Sequence, residues 1–376
     1  MKKIALIGST GSVGRQVLEV VRNNSGFRIV SLTAHVNAGL LKKQIAEFNP
    51  QVACLTGGGS FSPVSGEKLY FGENFALEAV TDDADVVFVA VTGFAGLKVV
   101  LRAIEKGKTV ALANKEALVC GGELVMNLAA AKGVEIIPVD SEHSALWQAL
   151  NFRKSGYKKL ILTASGGPFR TANLREMRHF SAKDALKHPN WKMGRKITVD
   201  CATMLNKGFE VIEAHRLFNA PTDKIEVVVH PQSIIHSMVE FEDNSIIAQM
   251  SYPNMAQPIQ TALTYPEKLP TPLPSLDLIK LGKLEFFPLD HKKFPCFDIA
   301  LNSLKSGDNF PCAMNAASEV AVNAFLGGKI AFTSIAEVIA EVLSETERIF
   351  PDLEGLEHTD AVSRVRAAEV IKKFSE

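Results

Sequence analysis

Two groups of acidic residues in the sequence have the chemistry to bind a divalent metal ion. Asp140 and Glu142 make up the first group and follow a short apolar run, 136–139, that predicts a buried strand. In an extended backbone, residues two apart point to the same side. Both carboxylates would then face one point at the carboxyl edge of the sheet, where ligands bind in open α/β folds. The alternative is a helix N-cap at Asp140 with Glu142 in the first turn.

The second acidic group lies in 201–217, which is predicted to be helical. Helical spacing places Asn206, Glu210 and Glu213 on one face. Carboxylates that converge with substrate oxygens and water suit a hard cation such as Mg²⁺ or Mn²⁺. The alternative for Lys207 and Glu210 is an ordinary surface ion pair three residues apart. The sequence by itself does not bring the two acidic groups together.

A glycine-rich segment, Gly8-Ser9-Thr10-Gly11-Ser12-Val13-Gly14, separates the first predicted strand from the first predicted helix. Its GxxGxxG spacing is a variant of the dinucleotide-binding fingerprint, in which backbone N–H groups at the helix start face a pyrophosphate. The alternative is a tight turn without a ligand. After the second predicted strand, 33–37 contains His35 but no carboxylate, and this favours NADP over NAD because an acid there would repel a 2′-phosphate.

A third candidate is an anion pocket. Ser165-Gly166-Gly167 follows the predicted strand 159–163 and offers a hydroxyl and close backbone N–H groups. Lys207 and Asn206 would add a charge and a donor, and His188 another donor, which is what a substrate phosphate needs. The alternatives are a plain loop at 165–167 and a capping or packing role for His188.

Short β-rich runs alternate with helical patterns in the first 140 residues. Such alternation predicts βαβ units and a mostly parallel sheet, and strands apolar throughout fit a sheet covered on both faces. The predicted strands are 4–7, 29–32, 52–55, 86–91, 110–112 and 136–139. The predicted helices are 16–21, 40–48, 97–104 and 116–131.

The pattern changes after about residue 140. Strands are predicted at 159–163, 225–229, 233–241 and 245–251, with a hairpin turn at 242–244 and a loop at 187–196, and helices at 201–217, 313–325, 335–343 and 361–374. The fold class is therefore α/β, with a Rossmann-like doubly wound domain, an α+β middle domain and a helical C-terminal domain. The predicted boundaries are 1–139, 140–265, a linker at 266–293, and 294–376.

Composition narrows the function classes. The 376 residues carry 41 Lys+Arg and 41 Asp+Glu, and zero net charge argues against nucleic acid as the main partner. The longest uncharged apolar stretch, 86–97, is too short to cross a bilayer. Five scattered cysteines without a CxxC pair indicate neither a disulfide framework nor a zinc ribbon. We expect a cytoplasmic protein that binds neither nucleic acid nor membrane.

Several segments together resemble the 1-deoxy-D-xylulose 5-phosphate reductoisomerase family. The resemblance covers essentially the whole chain in the family's order. The segments that carry it are GSTGSVG at 8–14, LANKEALVCGG at 112–122, PVDSEHSALWQ at 138–148, TASGGPFR at 163–170, HPNWKMGRKITVD at 188–200, ATMLNKGFEVIEA at 202–214, HPQSIIHSMV at 230–239 and NAASEVAVNAFL at 315–326.

The resemblance implies an NADPH- and metal-dependent enzyme that rearranges and reduces 1-deoxy-D-xylulose 5-phosphate to 2-C-methyl-D-erythritol 4-phosphate, on a route to isoprenoids. It also implies a homodimer, with the middle domain at 140–265 serving catalysis and dimerisation. A mobile flap near 186–196 would carry Trp191 and Met193. A metal ion would grip two neighbouring oxygens of the hydroxy-ketone, and flap closure would exclude water.

The implied cofactor contacts come from the glycine turn and from later loops. They are Thr10, Gly11, Ser12, Val13, His35, Asn37, Asn114, Glu116 and Gly194. The implied metal ligands are Asp140, Glu142 and Glu210.

The catalytic and substrate-binding sets overlap. The expected catalytic residues are Lys115, Glu142, His188 and Glu210. The expected substrate-binding residues are Lys115, Ser141, Glu142, Ser165, His188, Trp191, Cys201, Asn206, Lys207 and Glu210.

The chain departs from the family's pattern at two places. Cys201 stands where the family usually has a phosphate-contacting serine, and a thiol is a weaker donor. His35-Val36 stands where Gly-Lys or Gly-Arg is usual. These departures put the strength of phosphate binding and the selectivity against NADH in question.

Two other functions fit parts of the pattern. A phosphorylating semialdehyde dehydrogenase would use a nucleophilic cysteine, either Cys120 or Cys201. A redox-sensing NADP-binding protein would have no use for converging carboxylates. Thiol blocking would abolish the first activity and metal chelation would not.

Overall fold

The computed structural model describes residues 1–152, 155–191 and 193–373. The chain divides into two compact units, each built from separate stretches. The first consists of Met1–Ala117, Val125–Ser144 and Met255–Leu273, and the second of Leu118–Leu124, Ala145–Asn254 and Pro274–Glu376. The division into three domains with a linker stays a prediction.

A seven-stranded parallel sheet forms the centre of the first unit. Its spatial order is β4-β3-β2-β1-β5-β6-β7, so the order reverses direction beside β1. All neighbouring strands pair in parallel. The strands are β1 Lys2–Ile7, β2 Phe27–Ala34, β3 Val52–Leu55, β4 Lys68–Phe71, β5 Val86–Val89, β6 Thr109–Leu112 and β7 Ile136–Pro138.

Helices cover this sheet because its strands are apolar on both faces. In β1 the residues from Ile4 to Ile7 are all buried, as expected for a central parallel strand. The helices are α1 Ser12–Arg22, α2 Ala38–Phe48, α3 Ala95–Glu105 and α10 Ala256–Thr264, which packs against α1. Two more, α4 Lys115–Lys132 and α5 Ser141–Ala149, contribute residues to each unit. The predicted doubly wound sheet is confirmed.

The second unit contains a mixed four-stranded sheet in the order β11-β10-β8-β9. The β8 and β9 strands are parallel, whereas β10 runs antiparallel to both of its neighbours. Its strands are β8 Lys159–Ala164, β9 Ile225–Val229, β10 Ile235–Glu240 and β11 Ile246–Met250. The predicted hairpin turn is confirmed, since Asn244 adopts a φ of +66° between β10 and β11.

Helices make up the rest of the second unit. They are α6 Leu174–Met177, α7 Ala182–Ala185, α8 Arg195–Thr203, α9 Leu205–Phe218, α11 Leu278–Leu281, α12 Pro295–Ser306, α13 Phe310–Leu326, α14 Ser334–Ser344 and α15 Leu353–Lys373. The predicted helical C-terminal region is confirmed. In the described ranges, no helix is both long enough and apolar enough to span a membrane.

Several predicted element boundaries were wrong. The helix predicted over 201–217 is interrupted at Met204, whose φ of +61° ends α8 and precedes α9. The predicted loop over 187–196 already belongs to α8 from Arg195 onward. The last helix starts at Leu353 rather than Ala361, and its predicted end, Phe374, lies outside the described residues.

Several elements were not predicted at all, among them β4, α5, α6, α7, α10 and α11. The β4 strand, Lys68–Phe71, is a short strand at the edge of the first sheet, with Lys68 exposed and the next three side chains partly buried. The α5 helix begins at Ser141, where an extended backbone was predicted. The prediction that Asp140 and Glu142 share one side of an extended chain is therefore wrong, because Glu142 lies in the first turn of a helix.

Candidate active site

The glycine turn between β1 and α1 leaves no room for side chains at its bends. Gly8 has a φ of +92°, a conformation that glycine adopts without strain. A Cβ on Gly14 would lie 2.2 Å from the carbonyl oxygen of Gly8. The helix N-cap, Gly11, provides no side-chain cap for α1 in the described structure, so backbone N–H groups at the helix start suit a diphosphate. Thr10, Gly11, Ser12 and Val13, the predicted pyrophosphate contacts, make up this turn.

Ser9, which was not among the predicted site residues, connects the turn to neighbouring elements. Its buried hydroxyl lies 3.0 Å from the carbonyl oxygen of Thr33 and 2.7 Å from Oε1 of Gln44. Gln44 in turn donates to the Ser9 carbonyl at 3.0 Å, and Gly8 N–H donates to Thr33 Oγ1 at 2.8 Å. These bonds fix the turn to β2 and α2. The only feature of the sequence that indicates this contact is Gln44, a polar residue on the otherwise apolar face of α2.

The loop after β2 carries the predicted determinant of cofactor choice. His35 is exposed, and its Nδ1 lies 3.1 Å from Thr56 Oγ1. A Cβ on Gly57 would lie 2.7 Å from the same imidazole ring, so the ring packs across a glycine loop. Asn37 caps α2 by accepting the Leu40 N–H at 3.0 Å. The cofactor roles of His35 and Asn37 stay predictions.

Asn114 organises the ends of β5 and β6. Its amide donates to the carbonyl oxygens of Val91 and Gly93, each at 3.1 Å, and to Glu116 at 2.9 Å. Its own oxygen caps α4 through the Ala117 N–H at 3.0 Å. Asn114 is thus a buried structural residue, and Glu116 is fixed beside it. Cofactor contacts by these two residues are untested.

Lys115 and Asp140 form an ion pair with little exposure to solvent. The ammonium lies 2.5 Å from Asp140 Oδ2, and the two side chains are only 7% and 15% exposed. Next to Asp140, Ser141 donates its hydroxyl to Glu142 Oε2 at 2.5 Å. The first unit therefore gathers two carboxylates and one lysine at the start of α5. Hard oxygen ligands of this kind fit a divalent cation, and Lys115 supplies a charged donor next to them.

In the second unit, Glu210 is buried on α9 and bound by two neighbours. Asn206 donates to its Oε1 at 2.5 Å, and Lys207 forms an ion pair with its Oε2. Lys207 also donates to the Thr163 carbonyl at the end of β8, at 2.6 Å. The alternative of a surface pair is therefore wrong, since the Lys207 and Glu210 side chains are 4% and 1% exposed. A buried carboxylate oriented in this way is available as a metal ligand.

The loop after β8 brings Ser165 and His188 together, as predicted for the anion pocket. Ser165 Oγ lies 2.9 Å from His188 Nε2 and accepts the Gly167 N–H at 3.1 Å. Gly166 and Gly167 have positive φ values of 80° and 65°. A Cβ on Gly167 would come within 2.7 Å of the Cys201 carbonyl oxygen. The serine hydroxyl and backbone N–H groups are thus presented at a strand end.

The segment that follows His188 is bound to the loop before β10. Asn190 donates to the Pro231 carbonyl at 2.6 Å and to Ser233 Oγ at 2.8 Å. Trp191 packs edge-on to His236 with ring centroids 6.0 Å apart. Sequence analysis missed Asn190 and Ser233, although each belongs to a segment quoted above, HPNW or HPQS.

The remaining predicted residues lie at the start and end of α8. Gly194 is the N-cap, and its carbonyl accepts both the N–H and the hydroxyl of Thr198. Cys201 is half-buried on the last turn. Their predicted contacts with cofactor and phosphate, and the predicted flap, stay predictions; Lys192 lies outside the described residues.

The cysteines do not support a thiol nucleophile at Cys120. Burial raises the pKa of the Cys120 thiol well above its ordinary value, and a hydrogen bond with Cys312 adds to the shift. A raised pKa disfavours the reactive thiolate. All five cysteines are free, and four of them are buried.

Models of protein families match most of the chain. Residues 4–122 match a model described as 1-deoxy-D-xylulose 5-phosphate reductoisomerase. Residues 136–218 match the C-terminal domain of the same enzyme, and residues 250–366 match a DXP reductoisomerase C-terminal domain.

Relatives and solved structures carry the same name. A 1-deoxy-D-xylulose 5-phosphate reductoisomerase from Caldanaerobacter subterraneus is 48% identical over 383 residues, and one from Geotalea daltonii is 44% identical over 384 residues, each covering 100% of both chains. The Zymomonas mobilis enzyme, solved with NADPH, is 39% identical with a TM-score of 0.92 and covers 99% of both chains.

A DOX-P reductoisomerase in complex with NADPH, fosmidomycin and magnesium is 37% identical, with a TM-score of 0.94, and covers 99% of this chain and 98% of that one. The buried carboxylates, the glycine turn and this full-length similarity lead to one conclusion: the chain belongs to the 1-deoxy-D-xylulose 5-phosphate reductoisomerase family.

Proposed function

We propose that this protein uses NADPH and a divalent metal ion to rearrange and reduce 1-deoxy-D-xylulose 5-phosphate, giving 2-C-methyl-D-erythritol 4-phosphate for isoprenoid precursor synthesis. The full-length similarity to reductoisomerases is the observation that carries this proposal. The buried Cys120 thiol disfavours a phosphorylating dehydrogenase that uses Cys120 as its nucleophile. A redox-sensing function is disfavoured because it does not require the ion-paired lysines and carboxylates.

The glycine turn binds the cofactor diphosphate in this proposal. Its support is the close packing of Gly14 against the backbone of Gly8 and Ser9, which only glycine allows and which makes the turn tight at the start of α1. Thr10 to Val13 would bind the phosphates, and His35 and Asn37 would contact the ribose. Asn114, Glu116 and Gly194 complete the cofactor contacts as expected for the family.

Asp140, Glu142 and Glu210 are the proposed metal ligands. The support is chemical: all three offer carboxylate oxygens, the donors that Mg²⁺ and Mn²⁺ prefer. When bound, the ion polarises the substrate carbonyl and NADPH supplies a hydride. Lys115 lies against Asp140 and Lys207 against Glu210, so each unit places a positive charge beside one carboxylate of this set.

The substrate phosphate is held by the second unit in this proposal. Ser165 donates its hydroxyl, and Lys207, Asn206 and His188 supply charge and further donors. Cys201 adds its backbone N–H or a weak thiol donor. Because the phosphate lies away from the reacting carbons, its binding energy orients the ketose for reaction. Ser141 and Trp191 complete the contacts with the sugar and exclude water.

We also propose a cytoplasmic homodimer. β11 is an edge strand of the second sheet, and its Ile246 and Ile247 are 54% and 48% exposed. Apolar side chains on an edge strand suit pairing with another chain. Five free cysteines fit a reducing compartment.

The direct test is NADPH oxidation in the presence of 1-deoxy-D-xylulose 5-phosphate, with and without EDTA. We expect turnover that stops on chelation and returns with Mg²⁺, and a branched polyol phosphate as product. Turnover that is unchanged by EDTA but abolished by a thiol-blocking reagent would support the dehydrogenase instead. Cofactor binding without any turnover would support the redox sensor.

A further inference from the structure

We propose that Asn190 is a positioning residue that fixes the tautomer of His188 and thereby makes Ser165 a hydrogen-bond donor to the substrate phosphate. The inference rests on the proposed function only in naming that phosphate. It assigns a role to a residue that lies in a quoted motif, HPNW, but is not among the expected site residues.

Both side-chain amide hydrogens of Asn190 are used in hydrogen bonds. Its Nδ2 donates to the Pro231 carbonyl at 2.6 Å and to Ser233 Oγ at 2.8 Å. An amide nitrogen has two hydrogens, so both are used. The side chain therefore ties the turn after His188 to the segment that precedes β10.

The receiving segment is itself held rigidly. His230 is fully buried, accepts the Ile234 N–H at its Nε2 and donates from Nδ1 to the Glu285 carbonyl. Ser233 has a φ of +52°, a conformation that costs free energy unless the surroundings enforce it. The two acceptors of the Asn190 amide are thus set by a preorganised turn.

This turn decides which nitrogen of His188 carries the proton. The N–H groups of Asn190 and Trp191 both point at His188 Nδ1, at 3.3 and 3.0 Å. Because Nδ1 accepts, it has no hydrogen of its own, and the neutral ring carries its proton on Nε2. Nε2–H then donates to Ser165 Oγ at 2.9 Å.

Ser165 consequently receives two hydrogen bonds. One comes from His188 and the other from the Gly167 N–H at 3.1 Å. A hydroxyl has two acceptor sites and one hydrogen, so only its donor remains to be used. A phosphate oxygen accepts and never donates when ionised, so it is the matching ligand. With the opposite His188 tautomer, the Ser165 hydrogen would point to the imidazole instead.

The first experiment reads the tautomer directly. The whole enzyme is labelled with ¹⁵N-histidine, and His188 is assigned by comparison with His188→Gln. We expect the ring-nitrogen shifts to place the proton on Nε2, and Asn190→Ala to give a mixture of both tautomers. Titration with inorganic phosphate should shift the His188 signals. The dissociation constant read from these shifts should be about tenfold lower in the parent enzyme than in Asn190→Ala. A proton on Nδ1 in the parent enzyme would overturn the proposal.

The second experiment separates substrate binding from cofactor binding. Asn190→Ala removes both donors, and Asn190→Asp places a carboxylate against the Pro231 carbonyl. We expect both variants to raise the KM for 1-deoxy-D-xylulose 5-phosphate about tenfold or more, the size of one hydrogen bond to a charged group. The dissociation constant of NADPH should stay within twofold. Ser233→Ala, which removes one acceptor only, should have a smaller effect.

Asn323→Ala is the matched control, because Asn323 is an exposed asparagine on α13. It should leave both constants unchanged. A KM unchanged in both Asn190 variants would contradict the proposal. If the parent enzyme had no turnover at all, the proposed function would fail, whereas the tautomer and the phosphate titration would still decide this inference.

Discussion

At the scale of single residues, each unit places a lysine against the acids proposed to bind metal. Lys115 lies 2.5 Å from Asp140, and Lys207 is paired with Glu210. All four side chains are mostly or fully buried. Removing one member of a buried pair leaves an uncompensated charge. Exchange of a carboxylate for an amide of the same shape is therefore the gentlest way to test the acids.

Glu210→Gln should lower kcat at least 100-fold, because an amide neither balances the charge of the metal nor binds it as strongly. The fold should persist, since glutamine keeps the volume and can still bond to Asn206. Steady-state kinetics at saturating Mg²⁺ and circular dichroism measure the two effects. Glu226→Gln, which alters a surface pair with Lys159, is the control. Near-normal turnover in Glu210→Gln would refute the assignment.

Gly14→Ala should destabilise the protein and weaken NADPH binding. The added Cβ would meet the Gly8 carbonyl oxygen at 2.2 Å, and such overpacking costs roughly 1–3 kcal/mol. We expect the melting temperature to fall by about 5 °C and the KM for NADPH to rise. Gly26→Ala is the control, because nothing lies within 4 Å of a Cβ there. Equal behaviour of the two variants would contradict the tight turn.

The residues expected to bind ligands were easier to predict than the residues that position them through hydrogen bonds. Gly8 to Gly14 and Asp140 stand in recognisable contexts, directly after apolar strands. Ser9 and Asn190 also lie in recognisable segments, but their hydrogen bonds were not predicted, because their partners, Gln44 and Ser233, lie 35 and 43 residues away along the chain. A hydrogen bond over that distance depends on tertiary structure.

At the scale of elements, the turn before β10 is built around a buried histidine. Burial lowers the pKa of His230, and its hydrogen bond to the Glu285 carbonyl only partly offsets this shift. The ring uses both nitrogens in the neutral state, one as acceptor and one as donor. The neutral form is thus the one that the fold requires.

This histidine makes stability depend on pH. Since the folded-state pKa is below the unfolded value of about 6.5, the unfolded chain binds more protons between the two values. The stabilisation is complete above about pH 6.5 and is lost as the pH falls through that range. We expect the melting temperature to drop between pH 7.5 and pH 5.5, and to drop less in His230→Gln. His358→Asn, at an exposed site, should follow the parent protein.

The elements of the first sheet were predictable because central parallel strands are apolar throughout, as in β1 and β5. β4 was missed because its side chains are only partly buried. The break between α8 and α9 was missed because Met204 is an unusual residue at a φ of +61°. At Met204, tertiary contacts override local preference.

At the scale of the whole molecule, the edge strand β11 is the surface at which the proposed dimer can be tested. Ile247→Lys would place a charge on the exposed edge strand, and charges on edges oppose strand pairing. We expect a dimer in light scattering for the parent protein and a shift towards monomer for the variant. Lys268→Ala, on an exposed loop, should not change the mass. A monomeric parent protein would exclude the dimer.

The central claim is that Asp140, Glu142 and Glu210 together bind one divalent ion that the reaction requires. Electron paramagnetic resonance titration with Mn²⁺, in the presence of NADPH, measures this binding directly. We predict one ion per chain in the parent enzyme and in Glu226→Gln, with affinity at least tenfold weaker in Asp140→Asn, Glu142→Gln and Glu210→Gln. Unchanged Mn²⁺ affinity in any one of these three variants would contradict it.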